Sequence, residues 1–181
     1  MVLVLAVVAL VFLLYQTATS DRPSRPPVLA ANQQVYVSAR KKWDDFNRDS
    51  SIRVLTLSDA EINSLMAKAP EVGFLAGGAT VTSRENGIQL QLSVPVKIIP
   101  FYTKYINADV FLRPIITGEN VDLNIYGVDA EGRPLDAASL QRFKSQAQPA
   151  IDMILTGVNQ WEGPRAIHEI RLQNGSVALL R

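Results

Sequence analysis

The stretch that decides the fold is residues 79–128, which read ATVTSRENGIQLQLSVPVKIIPFYTKYINADVFLRPIITGENVDLNIYGV. Apolar and polar residues alternate through it, as they do in strands with one buried face. Asn86-Gly87 suits the positive φ angles of a tight hairpin turn, and Ile88–Ile98 then alternates without a break. The runs Tyr105–Ile116 and Val121–Val128 repeat the alternation. The pattern predicts an antiparallel meander with one buried face.

A long apolar helix is predicted behind these strands, at Ala137–Gln160, with Asp136 or Ser139 as its N-cap. Pro149 interrupts this stretch and predicts either a kink or two abutting helices near Gln148. The apolar stripe of the helix is formed by Leu140, Phe143, Ala147, Ile151, Ile154, Leu155 and Val158.

Shorter elements flank this framework. A first helix is predicted at Ala31–Asp49 and a strand at Ile52–Leu57. Ser58 and Glu61 fit a capping box at the start of a second short helix, in which Asn63 is expected to be a surface residue or to hydrogen-bond locally. Two strands, Ala166–Leu172 and Ser176–Leu180, close the chain. No βαβ repetition occurs, so the fold class predicted is α+β with a mostly antiparallel sheet.

The N-terminus is an unbroken apolar run, Met1–Tyr15. As a helix it would span about 22 Å, less than the ~30 Å hydrocarbon core of a bilayer, and its length fits a secretory signal peptide. Ala18-Thr19-Ser20 resembles a cleavage site, but no basic residue precedes the run, so a longer uncleaved anchor remains an alternative. The predicted organisation is a signal peptide or anchor at 1–20, a Pro-rich linker at 21–30, and one α+β domain at 31–181.

Composition argues against several functional classes. The net charge is +1, so no strong field favours nucleic acid. The chain contains no Cys and a single His, His168, which excludes thiol chemistry and any Cys- or His-rich zinc site. No phosphate-binding loop or nucleophile elbow is found. We therefore expect no catalytic residue, no metal and no cofactor, and hence no enzyme.

Two motifs carry a family resemblance. Residues 55–65 read LTLSDAEINSL, and residues 167–177 read IHEIRLQNGSV. With the apolar N-terminus, the Asn-Gly hairpin and the long helix, they make the chain resemble small bacterial envelope proteins of unknown function that are similar to tubular lipid-binding (TULIP-like) domains. The resemblance implies a curved, mostly antiparallel sheet wrapped around the long C-terminal helix, with an apolar groove between them.

The resemblance suggests a function for that interior. We expect a non-catalytic envelope protein on the periplasmic face, exported or anchored in the inner membrane through Met1–Tyr15, that binds a lipid or other hydrophobic ligand in the groove. The alternative is a protein-interaction module of an envelope complex, with a filled core and no ligand, in which Phe111, Tyr126 and the Tyr102–Tyr105 region dock a partner. The candidate groove residues are Leu90, Leu92, Val94, Val110, Leu112, Leu123, Ile125, Phe143, Ile151 and Ile154. Packed core is the competing explanation for each of them.

Overall fold

The computed structural model describes residues 19–23, 32–68, 78–99, 102–117, 120–145, 147–148 and 167–181. Its larger, main sheet is antiparallel, and five of its strands follow one another in the order β3-β4-β5-β6-β7, while β1 pairs with β5. The strands are β1 Thr19–Ser20, β3 Ala79–Arg84, β4 Gly87–Ile99, β5 Tyr102–Thr117, β6 Asn120–Ala130 and β7 Arg133–Pro134. The predicted meander is therefore confirmed.

The remaining strands form a second antiparallel sheet, the small sheet, in the order β2-β9-β8. Its strands are β2 Val54–Ser58, β8 Glu169–Gln173 and β9 Ser176–Leu180. The predicted single curved sheet wrapped around a long C-terminal helix is thus wrong, because the chain is α+β with two sheets. The physical reason is that Leu55 and Leu57 of β2 face a separate core instead of joining the meander.

Among the described residues, three helices accompany the sheets. They are α1 Gln33–Arg48, α2 Asp59–Lys68 and α3, which is helical at 137–145 and 147–148. Asp136 caps α3, because its Oδ1 accepts hydrogen bonds from the backbone N–H of Ala138 and Ser139 at 3.0 and 2.9 Å. The rest of the predicted long helix, at 149–160, and the apolar run Met1–Tyr15 lie outside the described residues.

The described residues form two hydrophobic cores. The first lies between the main sheet and α3, and the second joins the small sheet to α1 and α2. Helix α2 contributes side chains to both cores: Met66 packs against the first core, and Ile62 and Leu65 pack against the second. Among the helices in the described ranges, none is both long and apolar enough to cross a membrane.

Candidate functional site

The candidate groove residues lie on the face of the main sheet that meets α3, here called the inner face. Their burial is high: Leu92, Val110, Leu112, Ile125 and Phe143 are each at most 7% exposed and belong to one cluster. Leu90 packs against this cluster, and Leu123 is half-buried. Val94 is in β4, opposite Ile106 of β5, and the side chain of Val94 is not described. Ile151 and Ile154 lie outside the described residues.

Helix α3 lies on the inner face and runs beside β6. The backbone N–H of Leu135 donates to the Val128 carbonyl at 2.9 Å, just before the helix begins. Near the other end, Nε2 of Gln148 donates to the Leu123 carbonyl at 2.9 Å. The helix therefore runs opposite to β6 and buries Phe143 and Ala147 against the strands. The described side chains of this cluster are all hydrophobic.

The opposite, outer face of the main sheet has buried polar side chains. Gln89 and Asn107 are only 7% and 4% exposed. Gln89 Nε2 donates to Asp109 Oδ2 at 3.0 Å, and Ser93 Oγ donates to Asn107 Oδ1 at 2.9 Å. Sequence alternation assigns these residues to a solvated face. Their burial depends on packing by segments distant in sequence, which alternation does not specify.

An exposed aromatic cluster, the outer patch, lies on the same outer face and consists of Phe111, Arg113, Ile115 and Tyr126. The Tyr126 ring lies 6.0 Å from the Phe111 ring and 5.1 Å from the Arg113 guanidinium carbon. Ile115 and Tyr126 are 42% and 36% exposed. A Cβ at Gly87 would lie 2.7 Å from the Leu112 carbonyl oxygen and 2.9 Å from the Tyr126 ring, so glycine is required where this ring covers the strand.

The two resemblance motifs meet at the free edge of β3. The Asn63 side chain in α2 accepts from the Val81 N–H at 2.6 Å and donates to the Val81 carbonyl at 2.8 Å. Asp59 accepts from the Ser83 N–H at 3.0 Å, and the Ser83 carbonyl accepts from the Gly175 N–H at 3.1 Å. Helix α2 and the β8–β9 turn thus cover an edge that would otherwise offer unpaired backbone groups. Sequence reasoning did not identify this role of Asn63.

Glu61 forms the predicted capping box and an added ion pair. Its Oε2 accepts from the N–H and Oγ of Ser58 at 2.9 and 3.1 Å, and its Oε1 lies 2.8 Å from Lys42 Nζ. Burial opposes ionisation of this carboxyl, but the hydrogen bonds from Lys42 and Ser58 outweigh it and hold its pKa below the ordinary 4.5.

Because the folded-state pKa of Glu61 is lowered, its ionised form stabilises the fold at neutral pH. We expect that contribution to disappear as the pH falls below 4.5 through the lower folded-state pKa. Glu61→Gln should therefore be less stable than the wild type at pH 7, and its stability should fall less steeply in acid. Urea unfolding at a series of pH values measures both effects. Asp44→Asn, which removes an exposed pair with Arg40, is the control, and an equal slope in Glu61→Gln and wild type would contradict the assignment.

An open cleft of about 470 Å³ lies beside α3 and is lined by Asp122, Asn124, Gln141, Lys144, Ser145 and Gln148. All six lining residues are polar or charged, and none is a candidate groove residue, so this cleft is not the predicted hydrophobic groove. In the part of the chain that the structure describes, no group of three or more His, Asp or Glu side chains is placed to hold a metal ion.

Comparison with known proteins adds no family assignment. No protein-family model matches the chain, and its sequence matches no curated protein.

Proposed function

We propose that the chain is a non-catalytic binding protein of the bacterial cell envelope, attached or exported through Met1–Tyr15, that holds a lipid or another hydrophobic ligand against the inner face. One observation carries the proposal: β4, β5 and β6 turn a continuous apolar face toward α3. The candidate groove residues whose side chains are described all lie on this face or on the side of α3 that meets it. The resemblance to tubular lipid-binding domains agrees with this proposal.

The chemistry of the inner face favours binding over catalysis. Each methylene of a ligand that leaves water for an apolar surface gains about 0.8 kcal/mol. An acyl chain that buries about ten methylenes would gain about 8 kcal/mol before ordering costs, so roughly micromolar affinity is the upper limit for this contribution. Specificity for one headgroup would then depend on residues at the ends of the inner face.

The ligand proposal predicts saturable labelling of the inner face. The full chain, exported in a bacterial host and purified in mild detergent, would be mixed with a diazirine-bearing fatty acid, irradiated and digested. We expect adducts on peptides of β4–β6 and α3, and we expect unlabelled phospholipid to compete them away. Mass spectrometry of the peptides locates the label, and native mass spectrometry gives the number of ligands per chain.

A pair of variants on β4 provides the control. Leu90 faces the core and Gln91 the outer face, so Leu90→Trp should block the ligand while Gln91→Trp should not. We expect Leu90→Trp to weaken ligand binding about tenfold, which corresponds to a loss of about 1.4 kcal/mol in binding free energy. We expect Gln91→Trp to leave ligand binding unchanged. Labelling that is absent, or confined to Met1–Tyr15, would contradict the proposal, as would equal effects of the two variants.

Protein docking is the second candidate, and the outer patch favours it. Aromatic and arginine side chains are enriched where protein interfaces gain most of their binding energy, and the Arg113 guanidinium carbon lies 5.1 Å from the centre of the Tyr126 ring. The labelling experiment separates the candidates, because docking through the outer patch predicts no saturable adduct on the inner face.

A further inference from the structure

A β-bulge adds an aromatic side chain to the outer patch. In the pairing of β5 with β6 the register shifts after Phe111, and Tyr126 is the extra residue of β6. A bulge re-aims side chains, and this one directs the Tyr126 ring across the outer face toward Gly87. A Cβ at Gly127 would lie 3.2 Å from the Phe111 ring, so glycine leaves room for this ring as well. The two rings are therefore held in place by the backbone around them.

Two exposed arginines stand on either side of β4 at this level of the sheet. Arg84 of β3 lies opposite Gly87, and Arg113 of β5 follows Leu112, whose partner in β4 is Ile88. Neighbouring strands are about 4.8 Å apart, so the backbones of the two arginines are about 10 Å apart. The outer face thus carries two cations beside its exposed aromatic ring.

Both guanidinium groups are oriented by uncharged acceptors. Arg84 Nη2 donates to Gln89 Oε1 at 3.2 Å, and Arg113 Nε donates to the Asn86 carbonyl at 3.3 Å. Among the residues that the structure describes, neither arginine forms an ion pair with a carboxylate. A guanidinium has five N–H donors, so each arginine keeps donors that can bind an anion.

From this arrangement we propose that the outer patch, together with Arg84, binds an acidic segment of a partner protein. Carboxylates of the segment would pair with Arg84 and Arg113, because the fork of donors on a guanidinium matches the two oxygens of a carboxylate. An apolar side chain of the segment would pack on Ile115 and the Tyr126 ring, which are 42% and 36% exposed. This inference gives the docking candidate a partner of defined chemistry, and it rests on that candidate.

Acidic residues next to the outer patch favour a peptide over an anionic membrane. Asp122 lies opposite Ile115 in β6, and Glu85 directly follows Arg84. A flat anionic surface that reached the arginines would also meet these carboxylates, which repel it. A peptide can place its own carboxylates at the arginines alone.

A peptide selection tests the proposal. The full chain, exported in a bacterial host and purified in mild detergent, is used to select peptides from a phage-displayed random library. We expect the enriched sequences to carry two or more Asp or Glu next to an aromatic residue or leucine. A synthetic peptide with the enriched sequence is then titrated by fluorescence polarisation. Replacing its Glu and Asp by Gln and Asn should weaken binding about tenfold, because neutral amides lose the charge-assisted hydrogen bonds.

Variants of the chain locate the peptide. Arg84→Gln and Arg113→Gln should each weaken binding about tenfold. Arg142→Gln, which removes an exposed cation from α3, is the control and should leave binding unchanged. Circular dichroism establishes that each variant is folded. Equal effects of Arg113→Gln and Arg142→Gln would overturn the proposal.

The selection itself can also overturn the proposal. Enriched sequences without acidic residues, or no enrichment, would do so. No enrichment together with binding to phosphatidylglycerol vesicles that Arg113→Gln abolishes would assign the outer patch to a membrane surface instead. Labelling of the inner face is a separate measurement: its absence would remove the ligand proposal alone, and an absence of acidic peptides would remove only the inference drawn for the outer patch.

Discussion

Replacing Asn63 by leucine should lower the free energy of unfolding by about 3 kcal/mol, because the N–H and carbonyl of Val81 both lose their partner. The leucine side chain would still cover the β3 edge and exclude water from these groups. The loss should be measured by urea unfolding followed by circular dichroism.

Two variants test the origin of this effect. Asn63→Asp keeps an acceptor for the Val81 N–H but cannot donate to the Val81 carbonyl when ionised, so its loss should fall between those of wild type and Asn63→Leu. Ala60→Leu, at an exposed position of the same helix, should change stability by less than about 0.5 kcal/mol. If Asn63→Leu were as stable as Ala60→Leu, the edge-covering role would be refuted.

Asn63 also illustrates why the sequence predicted some features and missed others. Ser58 and Glu61 lie three residues apart, so the capping box follows from local spacing and is confirmed. The partner of Asn63 is Val81, 18 residues away, and it is reached only after α2 docks on β3. Local reasoning left Asn63 as a surface residue, since no local pattern encodes that docking.

The same limit explains why the α+β class was predicted correctly but the single wrapped sheet was not. Alternation identifies which residues of a strand share a face, and it predicted the inner face of β4, β5 and β6. It does not identify the strand's partner. Val54 of β2 pairs with Leu180 of β9, across most of the chain, and this pairing creates the small sheet. The strands were thus predictable individually, but their division between two sheets depends on tertiary contacts.

For the candidate site, the alternation predicted which residues share the inner face. It did not predict whether that face lines a ligand groove or a filled core. Leu92, Val110 and Leu112 do face one cluster with Phe143. A buried core and the wall of a groove use the same residue types in the same order. A groove differs from a filled core in the empty volume between the main sheet and α3, and the spacing of residues in the sequence does not determine that volume. Labelling of the inner face, with Leu90→Trp and Gln91→Trp as its matched variants, tests whether a ligand occupies that space.

Truncating Arg181 should destabilise the second core by about 3 kcal/mol, because one side chain supports both the end of α1 and the start of the small sheet. Helix α1 ends at Arg48, and the last carbonyls of a helix have no partner within it. The Arg181 guanidinium donates to the Phe46 carbonyl, to the Asp49 carbonyl at 2.6 Å and to the Ile52 carbonyl at 3.0 Å. It also lies 4.1 Å from the centre of the Phe46 ring. A cation at this position interacts favourably with the helix dipole as well.

Arg181→Ala removes the hydrogen bonds, the ring contact and the charge together, whereas Arg181→Lys keeps the charge and loses the planar fork of donors. We therefore expect urea unfolding to give a loss of about 3 kcal/mol for alanine and about half of that for lysine. Arg171→Ala is the matched control, because the Arg171 guanidinium pairs with Glu169 on an exposed strand and should contribute little. Equal losses for Arg181→Ala and Arg171→Ala would show that the carbonyl contacts at the end of α1 do not stabilise the fold. A large loss for Arg181→Ala with none for Arg181→Lys would instead assign the effect to charge alone.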